Sequence, residues 1–332
     1  MANLHKELGT YHEKIALSPG KKDSLRKSRN AIRERIRKHF GEKLGFEVPK
    51  FYGQGSFAMV TTVNPLDGEF DIDDGVYLQH LDEADNSEWP TSETIHRWLV
   101  DATDGQTNEK PIDKRTCVRV RYAGLYHVDL PSYASLNGKF MLAEKGDKGW
   151  HHSDSKALTE WFNEQVQLYG ENKQLRRVVR YLKAWADYQS LSRGKMPSGL
   201  ILTVLAAQNF RPHERDDRAL VDTAAAMSVA VNPAFCVLNP VDNAEELTSR
   251  LSEIQKERFQ DAISDLASDG IDAINCISRK QASEIWQKQL GDRFPFVDGD
   301  DVKDEKVQKE KASALLAAAY IGKNPPKPWA GK

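Results

Sequence analysis

The spacing of hydrophobic positions changes character along the chain. Residues 22–40, KDSLRKSRNAIRERIRKHF, place Leu25, Ile32, Ile36 and Phe40 four and seven residues apart. That spacing predicts one long amphipathic helix, with its many Lys and Arg residues on a solvated face. FEVPKFYG, residues 46–53, reads as a strand that enters a turn at Gly55-Ser56. The period then drops to two. Phe70, Ile72 and Val76 are apolar, and Asp71 and Asp73 alternate with them. Pro90 and Ser92 open a helix, SETIHRWLVDAT, whose Ile95, Trp98, Leu99 and Ala102 form an apolar face. In TCVRVRY, Val118 and Val120 alternate with Arg119 and Arg121. After a turn at Ala123-Gly124, Tyr126, Val128 and Leu130 alternate with His127 and Asp129. Strand and helix therefore mix up to about residue 145.

From Ser155 onward the pattern is almost wholly helical. KALTEWFNEQVQLY and NKQLRRVVRYLKAWADYQ each carry apolar residues at three- and four-residue steps. PSGLILTVLAAQNF reads as a buried helix starting at Pro197, a favourable first-turn position, and LVDTAAAMSVAV as another. Two Asn-Pro turns in VNPAFCVLNPVDNAEELTSRL precede long helices through Ala267 and from Lys280 to Leu290. A helix ending near Gly322 and an extended tail close the chain, after an acidic surface loop at 298–306. The polar residues 1–18 are expected to wrap back onto the body. The whole predicts an α+β fold with a helical C-terminal lobe.

The chemistry concentrates between Gln54 and Leu78. Side chains two apart on a strand share a face, so Asp71 and Asp73 point together with Ile72 behind them. Carboxylates that close repel unless a cation joins them, and magnesium is the hard cation that suits oxygen ligands and phosphates. If the Asp129 strand pairs nearby, a third acid completes a cluster able to hold two cations. Gly55 and Ser56 offer backbone N–H groups and a hydroxyl to a triphosphate. Lys173, Arg176, Arg177, Arg180 and Lys183 recur at helical steps as one basic stripe. Such a stripe is ordinarily solvated. Across a cleft from three acids it would hold triphosphates.

Composition narrows the classes. The 332 residues carry 47 Lys and Arg against 49 Asp and Glu, a formal net charge of −2, so charge alone implies no general nucleic-acid affinity. Cys117, Cys236 and Cys276 are far apart, without zinc or disulfide spacing, which suits a reducing cytoplasmic setting. The start lacks the apolar core of a signal peptide, and no apolar run reaches membrane-spanning length.

Several blocks together resemble the bacterial cGAS/DncV-like nucleotidyltransferases (CD-NTases), in particular their DncV branch. They are QGSF at Gln54–Phe57, DIDDG at Asp71–Gly75, HVDLPSYA at His127–Ala134, KGDKGW at Lys145–Trp150, EWFNE at Glu160–Glu164 and LRRVVRYLKAW at Leu175–Trp185. The resemblance covers roughly residues 20–200, in the family's order. It implies a polymerase β-like nucleotidyltransferase core at 1–154 with a spine helix, a helical lobe at 155–321 in an OAS/cGAS-like bilobed arrangement, and a flexible tail at 322–332. It implies synthesis of a cyclic di- or trinucleotide from ATP, GTP or other nucleoside triphosphates, with two Mg2+ ions for which Mn2+ can substitute. Asp71, Asp73 and Asp129 would be the catalytic and metal-binding residues. Gln54, Gly55, Ser56, Arg119, Lys183 and Ser198 would bind nucleotide, with Asn239 and Asp242 over the base. For Arg119, pairing with an acid on the sheet is the competing reading. For Asn239 and Asp242 it is turn and cap chemistry.

The family setting implied is CBASS antiphage defence, with a downstream effector that takes the cyclic product. A flexible tail ending Gly331-Lys332 is compatible with conjugation by a ubiquitin-like transferase. The family's long N-terminal-lobe insertion and folate pocket do not both fit this length, and no zinc insertion or reason for DNA activation is present. Two other readings stay open: a linear oligonucleotide synthase or template-free RNA nucleotidyltransferase on the same core, and a non-catalytic nucleotide- or RNA-binding module.

Overall fold

The structure is a computed structural model that describes residues 1–298 apart from 124, 171 and 172. The chain opens on helix α1 (His5–Ile15), where no element was expected. Its Leu8, Tyr11 and Ile15 are buried in the helical lobe rather than against the sheet. Helix α2 (Pro19–Lys38) follows, capped by Ser18 and started by Pro19, and runs on through a π-helical turn at His39–Lys43. Strand β1 (Lys50–Gln54) leads into a single helical turn, α3 (Gly55–Ala58). Strand β2 (Phe70–Tyr77) carries the acids, and α4 (Ser92–Thr103) covers the sheet. Then come β3 (Ile112–Asp113), β4 (Val118–Tyr122), β5 (Tyr126–Leu130), β6 (Ser132–Leu136), β7 (Lys139–Glu144) and β8 (Gly149–His152). The mixed region thus extends past residue 145 to His152.

These eight strands form one sheet in the order β3-β4-β5-β2-β6-β7-β8, with β1 also paired to β2. Strand β2 runs parallel to β5 and β6 and antiparallel to β1. Pro131 separates β5 from β6 at one bend, and its carbonyl still accepts from Val76 N–H at 2.8 Å. The face made by Phe70, Ile72, Val118, Val120 and Val128 is buried beneath Leu25, Ile32 and Ile36 of α2 and Ile95 and Leu99 of α4. Burying such a face drives this layer together.

The second lobe contains α5 (Ser155–Leu168), α6 (Gln174–Arg193), α7 (Gly199–Gln208), α8 (Asp216–Val231), α9 (Glu253–Asn275) and α10 (Arg279–Leu290). Trp185, Tyr181, Trp286 and Phe259 lie at its centre. It is not wholly helical. A hairpin of β9 (Leu238–Asn239) and β10 (Asp242–Glu246) stands where turns and a helix start were expected, and α9 begins only after a capping box at Ser252 and Gln255. Helix α7 starts two residues later than expected, because Ser198 rather than Pro197 makes the cap. No helix among the described residues is long and apolar enough to cross a membrane. Positions 299–306 of the acidic run, the helix expected to end at Gly322 and the tail lie outside the described residues.

Candidate active site

The open face of the sheet is built from two rows of side chains. Parallel pairing sets Asp71 opposite His127 and Asp73 opposite Asp129. Antiparallel pairing then sets His127 opposite Arg121 and Asp129 opposite Arg119. One row is therefore Arg121, His127 and Asp71, and the other is Arg119, Asp129 and Asp73. Between them, on the opposite face, Val120, Val128 and Ile72 form a buried row. Strand alternation explains both, since six charged or polar side chains and three apolar ones cannot share a face when neighbours point apart.

Asp74 breaks the pattern and has a different partner. It is fully buried on the core face and accepts from Arg33 of α2 at 2.7 Å through Nε, with a second bond to the same guanidinium. The third acid of DIDDG thus fastens α2 to the sheet. Without Arg33 its charge would be stranded in an apolar layer.

Asp73 sits deep in the cleft. Burial pushes its carboxyl well above the usual range, and the nearby charges of Asp71 and Asp129 push it further. Asp129 is held by Arg119 in a fork, with Nε to Oδ1 and Nη2 to Oδ2 both at 2.7 Å. Arg119 therefore serves the sheet acid in this structure and does not line the cavity. Each Asp129 oxygen keeps a further lone pair for another ligand.

Directly beside Asp73 stands a short loop. Gly55 has φ of +64°, and a β-carbon there would collide with Asp73 Oδ2. Glycine is therefore required on two counts, conformation and space. Ser56 Oγ lies 3.0 Å from Thr62 Oγ1, and Gln54 donates to Tyr133 Oη at 3.1 Å. The loop beyond α3 is clamped from the helical lobe. Arg176 Nε donates to Met59 O at 3.1 Å, Arg180 Nη2 to Val60 O at 2.6 Å and Lys183 Nζ to Thr61 Oγ1 at 3.1 Å. Val60 is held at φ +57°, a left-handed conformation that a β-branched residue rarely adopts.

The expected basic stripe is therefore split by what each member touches. Arg177 turns away to the buried Asp216, at 2.6 Å. Lys183 alone of the stripe reaches the cleft wall. Burial lowers its pKa to about 8, with Arg180 adding to the effect and Asp71 opposing it.

Between the loop, Asp71, Asp73 and α6 lies a cavity of about 840 Å³, walled by Gln54, Gly55, Ser56, Asp71, Asp73 and Lys183 among others, while Asp129 is buried and does not line it. That is at the upper end of small-molecule sites, roughly 300–1,000 Å³. Four sequence-derived candidates lie elsewhere or are otherwise engaged. Ser198 caps α7 by accepting from Ile201 N–H at 3.4 Å and does not line the cavity. Asn239 is buried in the β9–β10 hairpin, donating to Glu245 at 2.7 Å and accepting from Val241 N–H. Asp242 pairs with His152 Nδ1 at 2.8 Å, joining the hairpin to the edge strand β8. Asn239 here serves the hairpin turn, Asp242 ties the hairpin to β8, and Arg119 is the fourth.

Sequence reasoning placed His127 beside Asp129 but gave it no role. Asp71, His127 and Asp129 offer donor atoms within 4.8 Å of one another, the one such group found among the described residues. The donor set is rich in hard oxygens, and Asp73 carries a like-charge strain that a cation relieves. The site therefore fits a divalent cation.

Residues 49–133 match the family profile described as Cyclic GMP-AMP synthase DncV-like, nucleotidyltransferase domain. The chain is 31% identical over 244 residues to the Cyclic GMP-AMP synthase of Escherichia albertii, covering 71% of this chain and 54% of that protein. It spans about half the length of the curated relatives it matches. Among solved structures, Vibrio cholerae DncV cyclic AMP-GMP synthase with nonhydrolyzable GTP superposes with a TM-score of 0.74 at 21% identity, over 88% of this chain and 97% of that one. The Bradyrhizobium diazoefficiens CD-NTase CdnG with GTP gives 0.71 at 19% identity, over 87% and 95%. At those identities the structural likeness is one of fold.

Proposed function

Since the chain belongs to the bacterial cGAS/DncV-like nucleotidyltransferases, we propose that it joins nucleoside triphosphates into a cyclic di- or trinucleotide and releases pyrophosphate. The observation that carries the reading is the convergence of Asp71, Asp73, Gly55, Ser56 and Lys183 on one cavity. Acids able to bind cations, set beside donors able to hold phosphate, are what transfer from a triphosphate needs. The Vibrio relative has been solved with ATP and GTP and with a linear intermediate, pppA(3′,5′)pG. That supports purine triphosphates as substrates here.

In this mechanism Asp71, Asp73 and Asp129 would hold the divalent cations, magnesium among them. When bound, magnesium would make the attacking ribose hydroxyl more acidic and offset phosphate charge. The Arg119 fork fixes the Asp129 carboxylate, which helps take the hydroxyl proton. Gly55 N–H and Ser56 Oγ cradle the donor triphosphate, and Lys183 adds a positive charge to its far side. The hydroxyl oxygen bonds to the α-phosphorus as the bond to the bridging oxygen breaks in line, and pyrophosphate leaves. A second transfer within the same pocket closes the ring. The product would act in the cytoplasm as an alarm signal in CBASS defence and reach a downstream effector.

Incubating the chain with the four triphosphates and Mg2+, then digesting with phosphatase and weighing the products, tests this. A phosphatase-resistant oligonucleotide of ring mass is expected. A product trimmed at its end would make it a linear synthase, and absence of magnesium-dependent turnover would reduce it to a binding module.

A further inference from the structure

His127 is a buried imidazole with one nitrogen accounted for. The residue is 7% exposed, and among the described residues its Nε2 has no hydrogen-bond partner. That atom lies 3.9 Å from Asp71 Oδ2 and 3.9 Å from Asp129 Oδ2. Those separations are too long for hydrogen bonds. They suit donors around a shared cation, since two ligands each about 2.1 Å from a metal stand up to about 4.2 Å apart.

The other ring nitrogen is fixed. Nδ1 lies 3.3 Å from Glu69 Oε1, which also accepts from Arg121 Nη2 at 3.3 Å. A carboxylate only accepts, so Nδ1 carries a proton, and in the neutral ring the lone pair is then on Nε2, toward the acids. A carboxylate behind a histidine is the usual support for a metal-binding imidazole, because it sets the tautomer and the ring orientation. The contrast with other histidines is direct. His96 is equally buried, yet both nitrogens are partnered, to Asp113 at 2.7 Å and Ala143 O at 2.9 Å. His80 also lacks partners, but it is stacked on Phe46 among aromatic rings.

We propose that His127 Nε2 is a protein ligand, with Asp71 and Asp129, to one divalent cation, and that it turns this site toward first-row transition cations over Mg2+. Imidazole nitrogen is a softer donor than carboxylate oxygen and suits transition cations, whereas Mg2+ favours an all-oxygen shell. The proposal rests on the reading of the cleft as a nucleotidyltransferase site and deepens it by separating the cation positions. The Asp71–His127–Asp129 site is of mixed nitrogen and oxygen character, while Asp73 contributes oxygens beside it.

The test uses the full chain and the metals alone, without nucleotide. Mn2+ binding is followed by electron paramagnetic resonance, including the hyperfine coupling that a directly bound nitrogen imparts, and Mg2+ by competition. The expected result is nitrogen-coupled Mn2+, bound at least about tenfold more tightly than Mg2+. His127→Gln should remove the coupling and loosen Mn2+ by about 10–100-fold, with Mg2+ changed less than about threefold. Glu69→Gln should keep the coupling but weaken Mn2+. Absence of nitrogen coupling in the wild-type chain, failure of Mn2+ to bind, or equal losses for both metals overturns the proposal. The wild-type spectrum decides ligation even where His127→Gln fails to fold. A chain that turns over triphosphates without nitrogen-coupled Mn2+ refutes this inference alone. Nitrogen-coupled Mn2+ in a chain that never turns over sustains it and refutes the nucleotidyltransferase reading.

Discussion

The carboxylate of Asp73 occupies the space that a β-carbon on residue 55 would need. The acid on β2 and the glycine opening α3 are thus a fitted pair. The approach brings an oxygen proposed to bind metal against the loop proposed to hold phosphate.

Gly55→Ala should fail on both counts. The left-handed backbone would cost about 1–2 kcal/mol, and the methyl would push Asp73 aside. Pyrophosphate release should fall by on the order of 100-fold, since a displacement near 1 Å costs about that much. The melting temperature should drop by only a few degrees. Unchanged turnover would show that the contact does not position the acid.

Asp73→Asn should separate function from stability. Burial and two neighbouring acids oppose charge at Asp73 in the folded state. A neutral amide removes that opposition, so the metal-free variant should melt higher than wild type while losing turnover. Thermal unfolding in chelator, beside a pyrophosphate assay, reads both. A lower melting temperature would refute the like-charge account.

Arg180 holds a strained carbonyl in place. Arg180→Gln should release Val60 from φ +57° and lower kcat/KM by on the order of tenfold. Adding Val60→Gly, which adopts that conformation freely, should recover part of the loss. Additive losses in the double variant would mean that Arg180 acts through charge alone.

His12 should make the fold acid-sensitive. Its Nε2 faces Arg180 Nη1 at 2.7 Å, and burial, reinforced by that guanidinium, lowers its pKa to about 4. Its folded value is depressed below 6.5, so between the two values the unfolded chain binds more protons. The stabilisation is therefore complete above about pH 6.5 and is lost as pH falls toward 4. His12→Gln should flatten the melting-temperature profile over that window. A wild-type slope retained in the variant would place the effect elsewhere.

Lys183 should limit triphosphate binding at the alkaline end. With its pKa near 8, the free protein loses this charge as pH rises through 8. Affinity for a nucleoside triphosphate should weaken above that pH in the wild type and stay level in Lys183→Gln, as titration calorimetry would record. Parallel curves would remove Lys183 from the phosphate site.

What was legible in the chain was whatever local periodicity controls. Alternation around Ile72, Val120 and Val128 set which face each acid and arginine would take, and helical spacing marked α2, α4 and α6. Gly55 could be recognised as a turn, because φ > 0 is a local demand. The helix at His5–Ile15 was hidden because Leu8, Tyr11 and Ile15 sit in a polar segment and gain their burial from the distant helical lobe. The β9–β10 hairpin was hidden for a similar reason, as its polar strand DNAEE lacks an alternating pattern.

Partner choice among charges was decided only in three dimensions. Arg119 and Arg177 looked alike as cations near phosphate, yet each meets an acid brought by another segment, Asp129 and Asp216. Likewise the direction of His127 Nε2 depends on Glu69 behind it and on the parallel register with Asp71. Sequence alone determined the faces, since strand and helix geometry repeat every few residues. Tertiary structure determined the pairs, since a charge inside a protein is satisfied by whichever opposite group packing brings within reach.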